Sequence, residues 1–159
     1  STSLRNIGFQ RNGEWQGIGA GNLNNGAILT VVEWKKANCI FIGGVFLLNN
    51  SSNVRNVAVL YNYTTEYKTQ QWQGLDPGAT WLFSFDSLVT SLQVFEVNET
   101  SAYLIIGGEF EIIVPTGQRI VNFGIWDLYG KVFLNVEGID QGHVRPPQSS
   151  FILLPCVEV

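Results

Sequence analysis

Two stretches of the chain, CIFIGGVF (Cys39 to Phe46) and AYLIIGGEF (Ala102 to Phe110), are written on one plan: an apolar run rich in β-branched residues, a Gly-Gly doublet, one variable residue and Phe. The doublets begin at Gly43 and Gly107, 64 residues apart. Glycine at the end of a strand weakens it unless backbone must approach backbone there or φ must turn positive. A chain that repeats this device is built of repeated small sheets in which the same close approach recurs.

The remaining segments fall into the same cycle. NIGF (Asn6 to Phe9), NVAVLY (Asn56 to Tyr61) and NFGIWD (Asn122 to Asp127) share Asn, apolar, Ala or Gly, apolar. Each is followed by an element with an apolar-Gly turn: EWQGIG (Glu14 to Gly19), QWQGLD (Gln71 to Asp76) and NVEGID (Asn135 to Asp140). A further element carries a glutamate, in VVEW (Val31 to Trp34), VFEV (Val94 to Val97) and CVEV (Cys156 to Val159), which sets Glu33, Glu96 and Glu158 at one repeat position. With the Glu element as a and the Gly-Gly element as b, the chain reads c-d, a-b-c-d, a-b-c-d, a. The single domain thus holds a partial unit over residues 1–19, units over 27–76 and 88–140, and a partial unit over 150–159.

These elements are short, rich in Val, Ile, Phe, Tyr and Trp, and bounded by the turn clusters LNNG, NNSSN, DPG, NETS and PTG, so they are read as strands. The best helical candidate, DSLVTSLQVF (Asp86 to Phe95), fits a strand equally through its Val, Thr and Phe. The expected fold is all-β, tandem short antiparallel sheets with incomplete units at both termini.

Charged residues make up only 14% of the 159-residue chain, against about 25% in an average soluble domain. The net charge is −4 and no basic run exceeds Lys35-Lys36, which argues against nucleic acid as a partner. No apolar run approaches the roughly 20 residues of a membrane-spanning helix. The chain starts at Ser1 and contains no Met, as expected of a processed chain or a piece of a longer one. N-x-Ser/Thr sequons occur at Asn49, Asn50, Asn62 and Asn98, all where turns are expected, pointing to N-glycans and an extracellular or cell-surface setting. Cys39 and Cys156 allow either one disulfide or two buried thiols.

Gly43-Gly44 closing one strand, Tyr61 on the next and Trp72 on the one after are matched by Gly107-Gly108 and Trp126, with Phe133 or Val136 where the last Trp is expected. This pattern resembles the blades of the kelch and galactose-oxidase type of β-propeller, over nearly the whole chain. The resemblance implies four-stranded sheets of propeller type, stacked radially, with about 4 to 8 blades in a closed ring. Two full copies and parts of others fall short of that number. An unfilled strand position leaves unpaired backbone groups, and another subunit can fill it by strand addition.

Little in the chain points to catalysis. The single histidine, His143, lies in the polar segment DQGHVRPP and reads as a surface loop residue, and a ligand set like that of a copper-radical oxidase is not found. Glu33, Glu96 and Glu158 read as outward-facing strand residues, while GIGAGNLNNG (Gly17 to Gly26) lacks the Lys-Ser/Thr and helix of a phosphate loop and reads as a loop between units. No cofactor or metal is expected. The sequence therefore points to a secreted, glycosylated, non-enzymatic structural module that assembles with copies of itself into a fibre or surface layer. The alternative is a lectin-like module binding carbohydrate, with Trp15, Trp72, Trp81 and Trp126 as candidates for stacking on sugar rings, set against their use as core aromatics.

Overall fold

The computed structural model describes residues 7–17, 23–48, 54–66, 71–76, 83, 87–114 and 116–135. These residues are almost entirely β-structure. A hairpin pairs β1 (Gly8–Arg11) with β2 (Glu14–Gly17). Its turn places Asn12 and Gly13 at φ 52° and 82°, the left-handed pair that the tightest hairpin turns require. The first sheet runs β3 (Leu23–Trp34), β4 (Cys39–Leu48), β5 (Arg55–Tyr61), and Val59 adds a two-way backbone pairing to Gln73 on its far side. The second runs β6 (Leu88–Asn98), β7 (Ser101–Ile113), β8 (Arg119–Asp127), β9 (Val132–Phe133). Both are antiparallel meanders in the order a-b-c-d. A single helical turn, α1 (Tyr63–Glu66), and a 3-10 turn at Lys35–Ala37 are the helical pieces among the described residues.

The doublets mark a β-bulge. Thr30 pairs with Gly43 and Ile28 with Gly44, so Leu29 is an extra residue on β3, and Thr90 is extra in the same way between the Val89–Gly108 and Ser91–Gly107 pairs. A Cβ on Gly44 would lie 2.1 Å from the Ala27 carbonyl oxygen, and one on Gly108 2.0 Å from that of Leu88. Only glycine lets the bulged strand come this close.

The repeated Asn has a different task. Asn56 and Asn122 stand at φ 61° and 62° and interrupt the ladders between Gly43 and Leu47 and between Gly107 and Glu111. Each side-chain Oδ1 accepts the backbone N–H that the interruption would orphan, that of Phe46 or Phe110, at 3.2 Å. Asparagine meets both demands, because it tolerates the left-handed region and carries an amide like that of the backbone.

Three sequence expectations shift in register. In the second sheet the fourth strand is Val132–Phe133, and Phe133, one of the two residues expected there, stands where Trp72 stands in the first, while Val136 and the rest of the segment to Asp140 lie outside the described residues. Its ring meets Trp126 edge-on, with centroids 4.9 Å apart. Glu33 pairs with Ile40 and Glu96 with Ala102, so against the Gly-Gly frame the counterpart of Glu33 is Val94, and the two glutamates do not share a repeat position. The segment 17–26 is not wholly a loop, since β3 begins at Leu23.

The sheets stack face on face with their hairpin turns at one rim. The back of the first sheet, with Trp34, Cys39, Phe41, Val57 and Val59, closes on the front of the second, with Val89, Leu92, Leu104, Ile106 and Trp126, in the main core. A second core on the front of the first sheet gathers Ile42, Phe46, Ala58, Leu60 and Trp72, and Ile7 beside the β1–β2 hairpin packs against it. β5 is accordingly buried on both faces, which is why its sequence runs as continuous apolar residues rather than alternating.

Candidate functional site

In this stack one sheet's back receives the next sheet's front. A polar clasp at the rim fixes that contact: Trp34 Nε1 donates to Glu96 Oε1 at 2.6 Å, Lys36 Nζ donates to the Glu99 carbonyl at 2.9 Å, and Tyr129 Oη donates to the same carbonyl at 2.9 Å. Further in, the Leu92 N–H donates to Thr30 Oγ1 at 3.3 Å. Gly43 lies beneath β6, since a Cβ there would meet Val89 Cγ1 at 2.7 Å and Leu92 Cδ1 at 3.1 Å.

Both ends of the stack present apolar residues to solvent. On the front of the first sheet Val31 is 51% exposed, although its counterpart Leu92 is 6% exposed beneath the first sheet's back. The reason lies in the order of elements: the hairpin ahead of β3 supplies only c and d strands, and the a and b strands that would cover β3 have no counterpart among the described residues. Leu29 on the same edge strand is also exposed. On the back of the second sheet Phe95 is 56% exposed, and Tyr103, Ile105, Phe123 and Ile125 are half-buried. These positions correspond to Trp34, Cys39, Phe41, Val57 and Val59, all buried on the first sheet. The open β3 edge on the front of the first sheet and the open back of the second, one at each end, are the candidate site.

Of the sequence candidates, Asn62 and Asn98 are exposed, both at the turn rim and off the stacking faces. Asn98 Oδ1 accepts the Thr100 N–H at 2.9 Å and lies within 3.1 Å of the Thr100 hydroxyl, an Asx turn within its own sequon. Asn49 and Asn50 lie outside the described residues, as do Trp81, His143, Cys156 and Glu158, and the Trp15 side chain is likewise undescribed. Trp72 and Trp126 are 7% and 2% exposed, their rings given to core packing. A cleft of about 210 Å³ opens between the sheets, lined in part by Trp34, Trp126 and Lys131, below the roughly 300 Å³ at which small-molecule sites begin.

Cys39 is a fully buried free thiol, and burial pushes its pKa up to about 12. Glu33 accepts a hydrogen bond from the Tyr63 hydroxyl, which pushes the Tyr63 pKa up to about 12. An exposed ion pair, Arg119 to Glu111 at 2.7 Å, lowers the Glu111 pKa through the hydrogen bond it makes. Among the described residues no three His, Cys, Asp or Glu side chains cluster to hold a metal, and no helix is long and apolar enough to cross a membrane. Sequence reasoning missed the two open faces, because exposure follows from which repeat elements precede and follow a sheet and not from the residues of the sheet itself. Comparison with family models, characterised proteins and solved structures finds no match to this chain.

Proposed function

We propose that this protein is a non-enzymatic structural module of propeller-type repeat architecture that assembles head to tail through the two ends of its sheet stack. The observation that carries the reading is the contrast of exposed Val31 with buried Leu92 at equivalent positions: β3 is left open on the front of the first sheet where β6 is covered on the front of the second. The open back of the second sheet is the other half of the contact. Front and back are different surfaces, so a contact between copies is heterologous and propagates into a ring or a filament. Long edge strands with exposed Leu29 and Val31 on one side and Phe95 and Val97 on the other fit completion by a neighbour. Glycans at Asn62 and Asn98 would decorate the rim and leave both faces free, in keeping with a secreted fibre or surface layer.

Light scattering across a concentration series, with electron microscopy on protein from its native source, tests the proposal. The expected result is a mass that grows with concentration and particles with a regular axial or rotational repeat. A monomer that persists at the highest attainable concentration overturns it.

A further inference from the structure

We infer that the contact between copies joins edge strand β6 of one copy to edge strand β3 of the next, in the register the chain already uses within itself. Ser91, Gln93 and Phe95 of one copy then meet Val31, Glu33 and Lys35 of the other. This register deepens the head-to-tail reading above and rests on it. The second core takes up the β4–β5 side of the first sheet's front, which leaves β3 as the part of that front a neighbour reaches. Inside the chain, the back of β3 lies on the front of β6. Thr30 Oγ1 accepts the Leu92 N–H at 3.3 Å, Val32 and Val94 both pack into the main core, and Trp34 Nε1 donates to Glu96 Oε1 at 2.6 Å.

Thr30 and Ser91 are equivalent because they pair with Gly43 and Gly107, and from there both strands run without a further shift to Trp34 and Phe95. The counterparts of Thr30, Val32 and Trp34 are therefore Ser91, Gln93 and Phe95 on the back of the second sheet. Those of Leu92, Val94 and Glu96 are Val31, Glu33 and Lys35 on the front of the first. All six counterparts are exposed, and each pair they form stays matched although its chemistry changes. Ser91 keeps the hydroxyl of Thr30, and the Val31 N–H points out of its ladder as that of Leu92 does, because an antiparallel strand alternates which residues bond its neighbour. The apolar pair Val32 and Val94 becomes Gln93 and Glu33, an amide donor facing a carboxylate. The indole and carboxylate of Trp34 and Glu96 become Phe95 and Lys35, a ring face beside an ammonium whose side chain is 85% exposed. A change on one strand is answered by a change on the other. That match between opposite ends of one chain marks a second copy as the occupant, since a partner of unrelated sequence would not need the two edges to fit each other.

Light scattering of the full chain over a concentration series tests the register through one pair. Lys35→Glu sets a carboxylate against the Phe95 ring and should raise the concentration of half-association about fivefold. Adding Phe95→Trp to the same chain rebuilds the internal indole-to-carboxylate bond between copies, and should return that concentration to within about twofold of the parent's. Phe95→Trp alone keeps a ring beside Lys35 and should shift it by less than about twofold. Phe95 is 56% exposed and Lys35 more so, so urea midpoints are expected to match the parent's. A double variant that associates no better than Lys35→Glu alone overturns the register, while the parent's own growth with concentration leaves the head-to-tail reading standing. A parent that stays monomeric overturns both. The unaltered chain gives a second reading if a variant misfolds: on assembly the Val31 amide should exchange at least about tenfold more slowly than in the monomer. Unchanged exchange at Val31 in an assembled sample overturns the register.

Discussion

At the scale of single residues, two side chains bear roles that their identities alone do not announce. Asn56 holds a left-handed backbone, caps the Phe46 N–H and reaches the Ser87 carbonyl, all while buried. Alanine there combines left-handed strain with two unsatisfied buried groups and should cost about 3–5 kcal/mol, measured by urea unfolding. Glycine at the same position relieves the strain alone and should cost about 1 kcal/mol less. Cys39 makes a second prediction. Its pKa rises from 9.0 to about 12, so the folded state keeps a proton that the unfolded chain gives up earlier. The thiol's contribution to stability is full below pH 9 and is lost as pH rises through about 12. Cys39→Ala should be less stable than the parent at pH 8 because it leaves a cavity, and this deficit should shrink by pH 10.5. Denaturation at the two pH values reads the difference, and a deficit that stays constant refutes the linkage.

At the scale of elements, the all-β class, the meander order and the glycine doublets were legible from composition, turn residues and repetition, but the register was not. Glu33 and Glu96 matched as letters, and Asn135 to Asp140 matched Gln71 to Asp76, yet pairing is counted from the bulges. An extra residue such as Leu29 or Thr90 leaves no mark in a string of apolar residues. Phe133 could stand in for Trp72 because the position needs a large ring against Trp126, not an indole. The open faces were illegible for a further reason: Val31 and Leu92 are both ordinary strand aliphatics, and only the neighbouring sheet separates them. The bulges make a sharp prediction. Gly44→Ala or Gly108→Ala drives a methyl into a backbone carbonyl and should cost about 3 kcal/mol or more. Gly43→Ala meets the Val89 and Leu92 side chains instead and should cost about 1–3 kcal/mol. Because the obstacle in that case is partly Val89 Cγ1, the Val89→Ala background should soften the Gly43→Ala penalty by at least about 0.5 kcal/mol in a double-mutant cycle. No comparable rescue is expected for Gly44→Ala, whose obstacle is the main chain.

At the scale of the whole molecule, the stack is directional, and its two ends differ in what they lack. The front of the first sheet lacks the strands that would cover Val31, and the back of the second presents Phe95 to solvent. A charge at either exposed position should block one end and leave the fold intact, since neither side chain is in the core: Val31→Asp closes the front and Phe95→Asp the back. Each variant alone should remain a monomer where the parent grows, because a head-to-tail contact needs one good front and one good back. Mixed in equal amounts, they should combine only as pairs, the Val31→Asp chain offering its back to the front of the Phe95→Asp chain, with both remaining faces blocked. Light scattering would then read a plateau at twice the chain mass, whatever the total concentration. A symmetric contact, in which one patch meets its own copy, gives a different result: the variant altered outside that patch would still dimerise alone, and mixing would add nothing. The mixture thus decides between a propagating assembly and a closed dimer, and it does so equally for a native particle that is a ring and for one that is a fibre.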